Sequence, residues 1–518
     1  MIFIGPELSN PHAHFRTNIV DVVGGGNDLV IDLYKVGGRE EIYHLAAEHL
    51  QHHDERYVVY NAYEDEDFLL GFRREFPRLA LITIFSDDEW RHANYDRYLA
   101  LYSDVCTVTV KDNIRRYRAY GLPHVHYMQW ACNPDAFHPL AEAVKTYDVS
   151  FIGAAYGKRV EYVRHLLRHG VNVRVFGPSW DRYRDIRAHW GGFLPHSDML
   201  EAISQSKINL NFLWTSWDPG RTTIKGRTLE LAACRAFQLS NDTEAFANCS
   251  FVDGVNIAVF QNKGEMLEKI EYYLAHEDER EAIAARSYEH ALKHHTWKQR
   301  FRELFGRLEQ EPVPGTAGRR KYRILVLAGE GVRHQIAMDD ERMDIRIFDP
   351  EDNWREDLGA VDGVVQLTRD SSINNETLYM MAFGLMADKS DVIAANFYVD
   401  SGTGRCWIRF RDKVIERKRT LLRILPQECM MLSRSYVEEH GAALAGKVGS
   451  LRVSYIEYPS FSVDLPYYHV RKLRLYFGHH RDARNRFREY MQAFHIGKAF
   501  SIGVDKVWQR MLRKRTGA

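Results

Sequence analysis

Short, β-rich apolar runs separated by stretches with helical spacing recur along this chain, and that alternation limits the fold more than any other feature. Ile2–Ile4, Asp28–Leu33, Tyr57–Tyr60, Leu79–Phe85 and Val105–Val110 read as buried strands, with helical periods between them at Glu40–Leu50 and Ile114–Tyr120. Strands without polar alternation are buried on both faces. When helices intervene, the economical solution is a parallel sheet covered on both sides. One helix stops at Gly121, and Pro123 prevents its continuation. A second cycle opens at Tyr147-Asp-Val-Ser-Phe-Ile-Gly-Ala-Ala-Tyr-Gly-Lys-Arg159. It passes through strand-like runs at Asn172–Trp180 and Ile208–Trp214 and an amphipathic helix at Glu265–Ala275. The expected fold class is α/β, with two such domains at 1–140 and 141–308.

The chain is 518 residues long, enough for about three domains, each with its own core. Glu309–Arg319 is rich in Pro, Gly and charge and lacks periodicity, so it reads as a linker. A third domain over 320–518 restarts with the buried run Tyr322–Ala328. Apolar runs of about 18 residues are absent, and Met1–Pro6 reads as a first strand and not a signal peptide. Six scattered cysteines without a CxxC pair suit reduced thiols in a cytoplasmic protein. The net charge of zero hides an asymmetry. Arg471–Ala518 carries 13 Lys/Arg against 3 Asp/Glu, a balance of 13 − 3 = +10, which leaves −10 on the rest. That aromatic-bearing tail suits the inner face of an anionic membrane, a polyanionic acceptor, or a solvated helical face whose aromatics pack inward.

The chemistry concentrates in Lys225-Gly-Arg-Thr-Leu-Glu-Leu-Ala-Ala-Cys-Arg-Ala-Phe-Gln-Leu-Ser-Asn-Asp242. A polar loop leads into a short amphipathic helix and a β-rich exit. Arg227 and Glu230 stand three apart, on one side of the helix. At the mouth of an α/β sheet, a cation suits a phosphate and a carboxylate suits ribose hydroxyls; the plainer alternative is a surface helix with an internal ion pair. Lys158 and Arg159, in a first helical turn after the glycine turn at Gly153, oppose the helix dipole. A pyrophosphate at the helix N-terminus accounts for them. Ligands of open α/β sheets bind beyond the carboxyl ends of strands, where Gly153, Trp180, Trp214 and the Arg227/Glu230 helix gather.

The Arg-x-x-Glu-x-x-Ala-Cys pattern at 227–234 with its Asn-Asp exit resembles the donor half of GT-B glycosyltransferases, and most nearly their CgeB-like branch. Two further stretches support the likeness: Pro134-Asp-Ala-Phe-His-Pro139, similar to the turn between the two halves, and the close on His295-Thr-Trp297. The resemblance covers about residues 1–308. It implies a GT-B fold of two Rossmann-like domains, an N-terminal acceptor-side domain and a nucleotide-sugar donor domain. Gly153, Lys158, Arg159, Lys225, Arg227 and Glu230 then hold the donor, the cations serving without a metal or other cofactor. Where many retaining relatives carry a Glu eight positions before the ribose carboxylate, this chain has Thr222, so the stereochemical class stays open. An inverting reaction needs a general base. Asp87 and Asp88 after a buried strand, or His14 in the loop after the first strand, are the candidates. A helix cap for the acids and a surface role for the histidine are the alternatives. His52-His53 and His479-His480 read as solvated pairs, since no third ligand stands at a useful spacing.

In the last domain, Val361–Asp370 leads into a helix at Asn375–Met386, and Cys429–Gly441 reads as strand then helix. This order resembles a degenerate GT-A (family-2-like) glycosyltransferase. Its metal motif falls on Thr368-Arg-Asp370, where only Asp370 is acidic, against the two carboxylates normally wanted. The expected activity is sugar transfer from a nucleotide sugar to a glycan, lipid-linked or protein acceptor, with no nucleic-acid partner. Its rivals are a bifunctional enzyme with a second site in 320–518, a non-catalytic sugar- or nucleotide-binding scaffold, and a GT-B-shaped epimerase or phosphorylase.

Overall fold

The computed structural model describes residues 1–10, 13–62, 68–86, 88–141, 143–215, 220–310, 320–329, 336–367, 371–400, 405–408, 430–442 and 451–464. The chain divides into two compact units, Met1–Gly315 and Thr316–Ala518.

Unit 1 contains two all-parallel sheets. The first is built from β1 (Ile2–Gly5), β2 (Leu29–Asp32), β3 (Tyr57–Asn61), β4 (Ala80–Ile84), β5 (Val105–Val108) and β6 (Val125–Tyr127), in the order β2-β1-β3-β4-β5-β6. The second contains β7 (Tyr147–Ile152), β8 (Val173–Phe176), β9 (Ser206–Asn211), β10 (Gln238–Asn241) and β11 (Ala258–Phe260), in the order β11-β10-β9-β7-β8. Both orders reverse direction once, between β1 and β3 and between β7 and β9. The crevice outside the carboxyl ends at such a reversal is where an open α/β sheet receives a ligand. This is the pair of Rossmann-like domains that the GT-B resemblance implies.

Packing explains why these short runs become strands. Phe3, Val59, Ile82 and Val105 of the first sheet bury their side chains against Trp297, Phe301 and Leu304 of the Trp297–Gln310 helix. The last helix of unit 1 therefore returns to cover the first sheet. The return is anchored by backbone pairing: Cys132 N–H donates to the His295 carbonyl (2.9 Å) and Trp297 N–H to the Cys132 carbonyl (3.0 Å). In the second sheet, one face packs Val149, Val163, Leu166 and Ile208. The other packs Leu229, Ala232 and Ala233 of the Gly226–Ala233 helix with Ile203, Ile257 and Ala291. The small residues let that helix lie close to the strands. Cys106, Cys132, Cys234 and Cys249 are buried free thiols. No helix among the described residues is long and apolar enough to cross a membrane.

Unit 2 has a mixed sheet. β12 (Tyr322–Ala328) pairs in parallel with β13 (Met343–Phe348) and β14 (Gly363–Leu367). β14 pairs antiparallel with the Met430–Ser433 strand, which precedes the Arg434–His440 helix. The Asn375–Asp388 helix starts at Asn374, whose side chain accepts from Thr377 N–H. Thr368–Asp370 and the basic tail lie outside the described residues.

Candidate functional site

The loops beyond the carboxyl ends of the two sheets of unit 1 touch, and Lys225, Arg227 and Glu230 stand at that meeting. Lys225, in an extended conformation, is the N-cap of the Gly226–Ala233 helix and makes no side-chain capping bond. Thr228 N–H turns back onto the Lys225 carbonyl (3.0 Å), so only the amides before it are left for another acceptor. A Cβ on Gly226 would lie 3.2 Å from His14 Nε2, a close contact that the imidazole would have to yield to. Arg227 Nη1 lies 3.0 Å from Glu230 Oε2, as the three-residue spacing predicts. Glu230 is only 4% exposed, so this is not a surface helix. Burial alone raises the Glu230 carboxyl pKa, but the Arg227 charge and the contact with His14 outweigh it and hold it below the ordinary value. The Arg227–Glu230 contact is ionic without hydrogen-bond alignment, for Arg227 Nη1 is shielded from water and has no hydrogen-bond acceptor.

The first sheet supplies the opposite wall. His14, in the loop after β1, places Nε2 3.2 Å from Glu230 Oε1 and keeps about half its side chain exposed (46%). Its ring sits edge-on to Trp130, 5.3 Å between centroids. After β4, Glu89 is buried and its Oε1 accepts from Lys225 Nζ at 2.6 Å, while its carbonyl accepts from Arg221 Nη1 at 2.8 Å. π-Helical turns at Arg16–Val20 and His92–Asp96 follow both wall segments.

Asp88 has a different place from the one expected of a base. It is fully buried, and its carboxylate accepts from Thr109 N–H (2.8 Å), Thr109 Oγ1 (2.6 Å), Val110 N–H (3.2 Å) and Asn113 Nδ2 (2.8 Å). It ties the end of β4 to the loop after β5 and offers no oxygen to an acceptor. Burial raises its pKa, with those hydrogen bonds opposing the shift. Asp87 lies outside the described residues.

Around β7 the expectations divide. A Cβ on Gly153 would come within 2.8 Å of the Phe151 ring, and one on Gly177 within 2.7 Å of the Gly153 carbonyl. The turns after β7 and β8 thus pack backbone to backbone, and Trp180 Nε1 donates to the Gly153 carbonyl at 2.8 Å. Lys158 is half-buried, with Nζ 5.8 Å from the Trp214 ring centroid. Arg159 does not reach for a ligand. Its Nη1 donates to the Ala154 carbonyl (3.3 Å) and its Nη2 to the Phe212 carbonyl (3.0 Å), with its guanidinium 3.9 Å from the Tyr156 ring centroid. It braces the ends of β7 and β9, and burial lowers its pKa to about 10.

Two groups of residues escape sequence reasoning. Glu89 follows Asp87 and Asp88 directly, with nothing in the sequence to separate its role from theirs, and Arg221 has no motif around it. The second sheet also contains a buried polar ladder. Asn211 Nδ2 donates to Thr228 Oγ1 (2.9 Å) and Gln238 Oε1 (3.1 Å), and Asn241 Oδ1 accepts from Leu213 N–H (2.8 Å). The only signal was polar residues at strand positions that should be apolar. Satisfied in this way, the ladder fixes the helix and the loop after β9 in one arrangement.

Residues 138–306 match the family described as "glycosyl transferase-like". The spore protein CgeB of Bacillus subtilis (strain 168) is 22% identical over 212 residues, covering 37% of this chain and 64% of the relative. This chain therefore spans less than two thirds of that relative's length. Among solved structures, Anabaena Alr3699/HepE in complex with UDP is similar at 10% identity, 60% of this chain, 99% of the other and a TM-score of 0.46. Sucrose-phosphate synthase of Thermosynechococcus elongatus is similar at 11% identity, 60% and 98% coverage and a TM-score of 0.42.

Proposed function

With residues 138–306 a glycosyl transferase-like domain in a CgeB-like chain of GT-B architecture, we propose that the protein moves a sugar from a nucleotide-sugar donor to an acceptor hydroxyl, in the cleft of unit 1. The observation that carries this reading is the Arg227–Glu230 pair (3.0 Å) beside Lys225 at a helix start with no side-chain cap, the Arg227 side chain keeping 23% exposure. A partly exposed guanidinium and a lysine at a helix N-terminus suit the oxygens of a diphosphate.

In this reading the diphosphate sits at the start of the Gly226–Ala233 helix, with Lys225 and Arg227 at its oxygens and Lys158 at the edge. Glu230, held ionised, accepts from the ribose hydroxyls. As the bond from the anomeric carbon to the phosphate oxygen breaks, negative charge builds on the leaving diphosphate. Fixed cations and helix amides stabilise it without reorganising, and they do so in place of a metal ion. The acceptor oxygen forms the new bond to the anomeric carbon and gives up its proton. His14 is the group for that proton: with Nε2–H donated to Glu230, Nδ1 is the basic nitrogen. Asp87 is the remaining carboxylate for the same task. Glycan, lipid-linked and protein acceptors all fit the reaction.

Calorimetry of the full chain with UDP, GDP, dTDP and CMP sugars, in EDTA and then in magnesium, tests this. One nucleotide class should bind in EDTA, and Arg227→Ala should cost about 1–3 kcal/mol of that binding. Binding that needs the metal would overturn the metal-independent mechanism. No binding to any of the four would leave a scaffold.

A further inference from the structure

The amino ends of β1 and β3 lie on the edge of the first sheet remote from the cleft, and a second cluster of chemistry-bearing side chains gathers there. His49 is in the last turn of the Arg39–Leu50 helix. His53 N–H donates to the His49 carbonyl at 3.1 Å, so helical spacing carries on past the end of the helix. The two imidazoles therefore stand at i and i+4, with ring centroids 4.3 Å apart and planes 19° from parallel. Glu55, two residues before β3, places Oε1 3.1 Å from His49 Nε2. The ligand atoms of His49, His53 and Glu55 all lie within 4.8 Å of one another. The sequence sets His53 beside His52 as a solvated pair, but its partner in the fold is another histidine. His53 stands with His49, and Glu55 is the third group that sequence spacing does not supply.

The carboxylate is also oriented. Its other oxygen, Oε2, lies 2.8 Å from the Met1 ammonium, which Asp28 holds from the far side at 2.6 Å. Oε1 is thereby turned toward the imidazoles. A partner that fixes a ligand's orientation without touching the metal is a regular part of metal sites. His49 and Glu55 have side-chain exposures of only 10% and 15%, so the cluster is a recess and not a loose surface group.

We propose that His49, His53 and Glu55 bind one divalent transition-metal ion, with water completing the shell. Two imidazoles at i and i+4 with a carboxylate form a donor set for zinc or its neighbours, not for calcium or magnesium. Its place at the amino edge, away from the carboxyl ends where ligands of such sheets bind, sets it apart from the cleft. The ion clips the end of the helix to the start of β3 across the intervening turn.

The test uses the full chain, stripped with a chelator and titrated with zinc chloride by calorimetry, with thermal unfolding recorded on the same samples. The proposal expects one zinc equivalent and a higher unfolding temperature when loaded. His53→Gln should weaken that binding by about 100-fold or more, beyond the loss typical for an orienting partner, and remove the thermal shift. His53 is only partly buried, and an unchanged unfolding temperature of the metal-free variant checks that its fold is intact. Glu55→Gln should weaken zinc binding as well. Absence of a stoichiometric site in the stripped chain would overturn the proposal. So would equal zinc binding by the parent and a His49→Gln/His53→Gln double variant, which would mark the metal as held elsewhere.

Discussion

Asp88 and Glu230 are both carboxylates on the facing edges of unit 1, and both are almost wholly shielded from water, at 0% and 4% exposure. They differ in what surrounds them. Asp88 accepts four hydrogen bonds from neutral donors of its own sheet, while Glu230 faces a guanidinium from its own helix and an imidazole from across the cleft. Burial raises the pKa of the first, and the cation lowers that of the second. Neutral donors saturate a carboxylate and lock it into the scaffold. A cation keeps the charge on an acid that still faces a half-open neighbour. A buried acid near a cleft is therefore not automatically a catalytic one; its partners decide.

The largest expected effect breaks or upholds that contrast directly. Asp88→Ala leaves the Thr109 and Val110 amides without their acceptor, and should cost about 3 kcal/mol of stability by urea unfolding. A variant with unchanged stability and lost transfer would return Asp88 to the chemistry and end the comparison.

A smaller effect sharpens the same rule with the sign reversed. His295, in the returning segment, accepts at Nδ1 from Arg300 Nη2 (2.7 Å), and its Nε2 lies 3.0 Å from the Cys249 carbonyl. Burial and then the Arg300 charge lower its pKa from 6.5 to about 3. In the window between these values the unfolded chain takes up a proton that the folded chain refuses. Its contribution is thus full above about pH 6.5 and is lost as pH falls toward about 3. Near pH 5 the loss should be about 2 kcal/mol. The slope of stability against pH in that window should flatten in His295→Asn, and an unaltered slope would show that the imidazole is not held neutral.

The smallest effect concerns Glu89, a buried acid that does meet a cation, Lys225 at 2.6 Å. In the proposed reaction it competes with the donor diphosphate for that lysine. Glu89→Gln should tighten nucleotide binding by about threefold, well under 1 kcal/mol. Weaker binding would mean that Glu89 positions Lys225 for the donor.

The framework was legible in residue order. The strands at Ile2–Gly5, Tyr57–Asn61, Val105–Val108 and Tyr147–Ile152 sit within a residue or two of the apolar runs that announced them, because full burial of a parallel strand writes itself into composition. Ala258–Phe260 was too short to signal itself. In the site, the Arg227–Glu230 pair followed from helical spacing alone. The brace made by Arg159, the saturation of Asp88 and the reach of Glu89 did not follow. Each depends on carbonyls, amides or a lysine from elements 21 to 136 positions away.

Sequence alone therefore determined the α/β class, the two parallel-sheet domains of unit 1 and the helix that bears Lys225, Arg227 and Glu230. These rest on local periodicity and on which residue types tolerate burial. Tertiary structure decided which charged groups remain available to a ligand and which are spent on the protein. It likewise brought Glu55 to two imidazoles that sequence spacing had left apart. A charged group's role depends on the dielectric and the partners around it, and distant segments supply both only once the chain has folded.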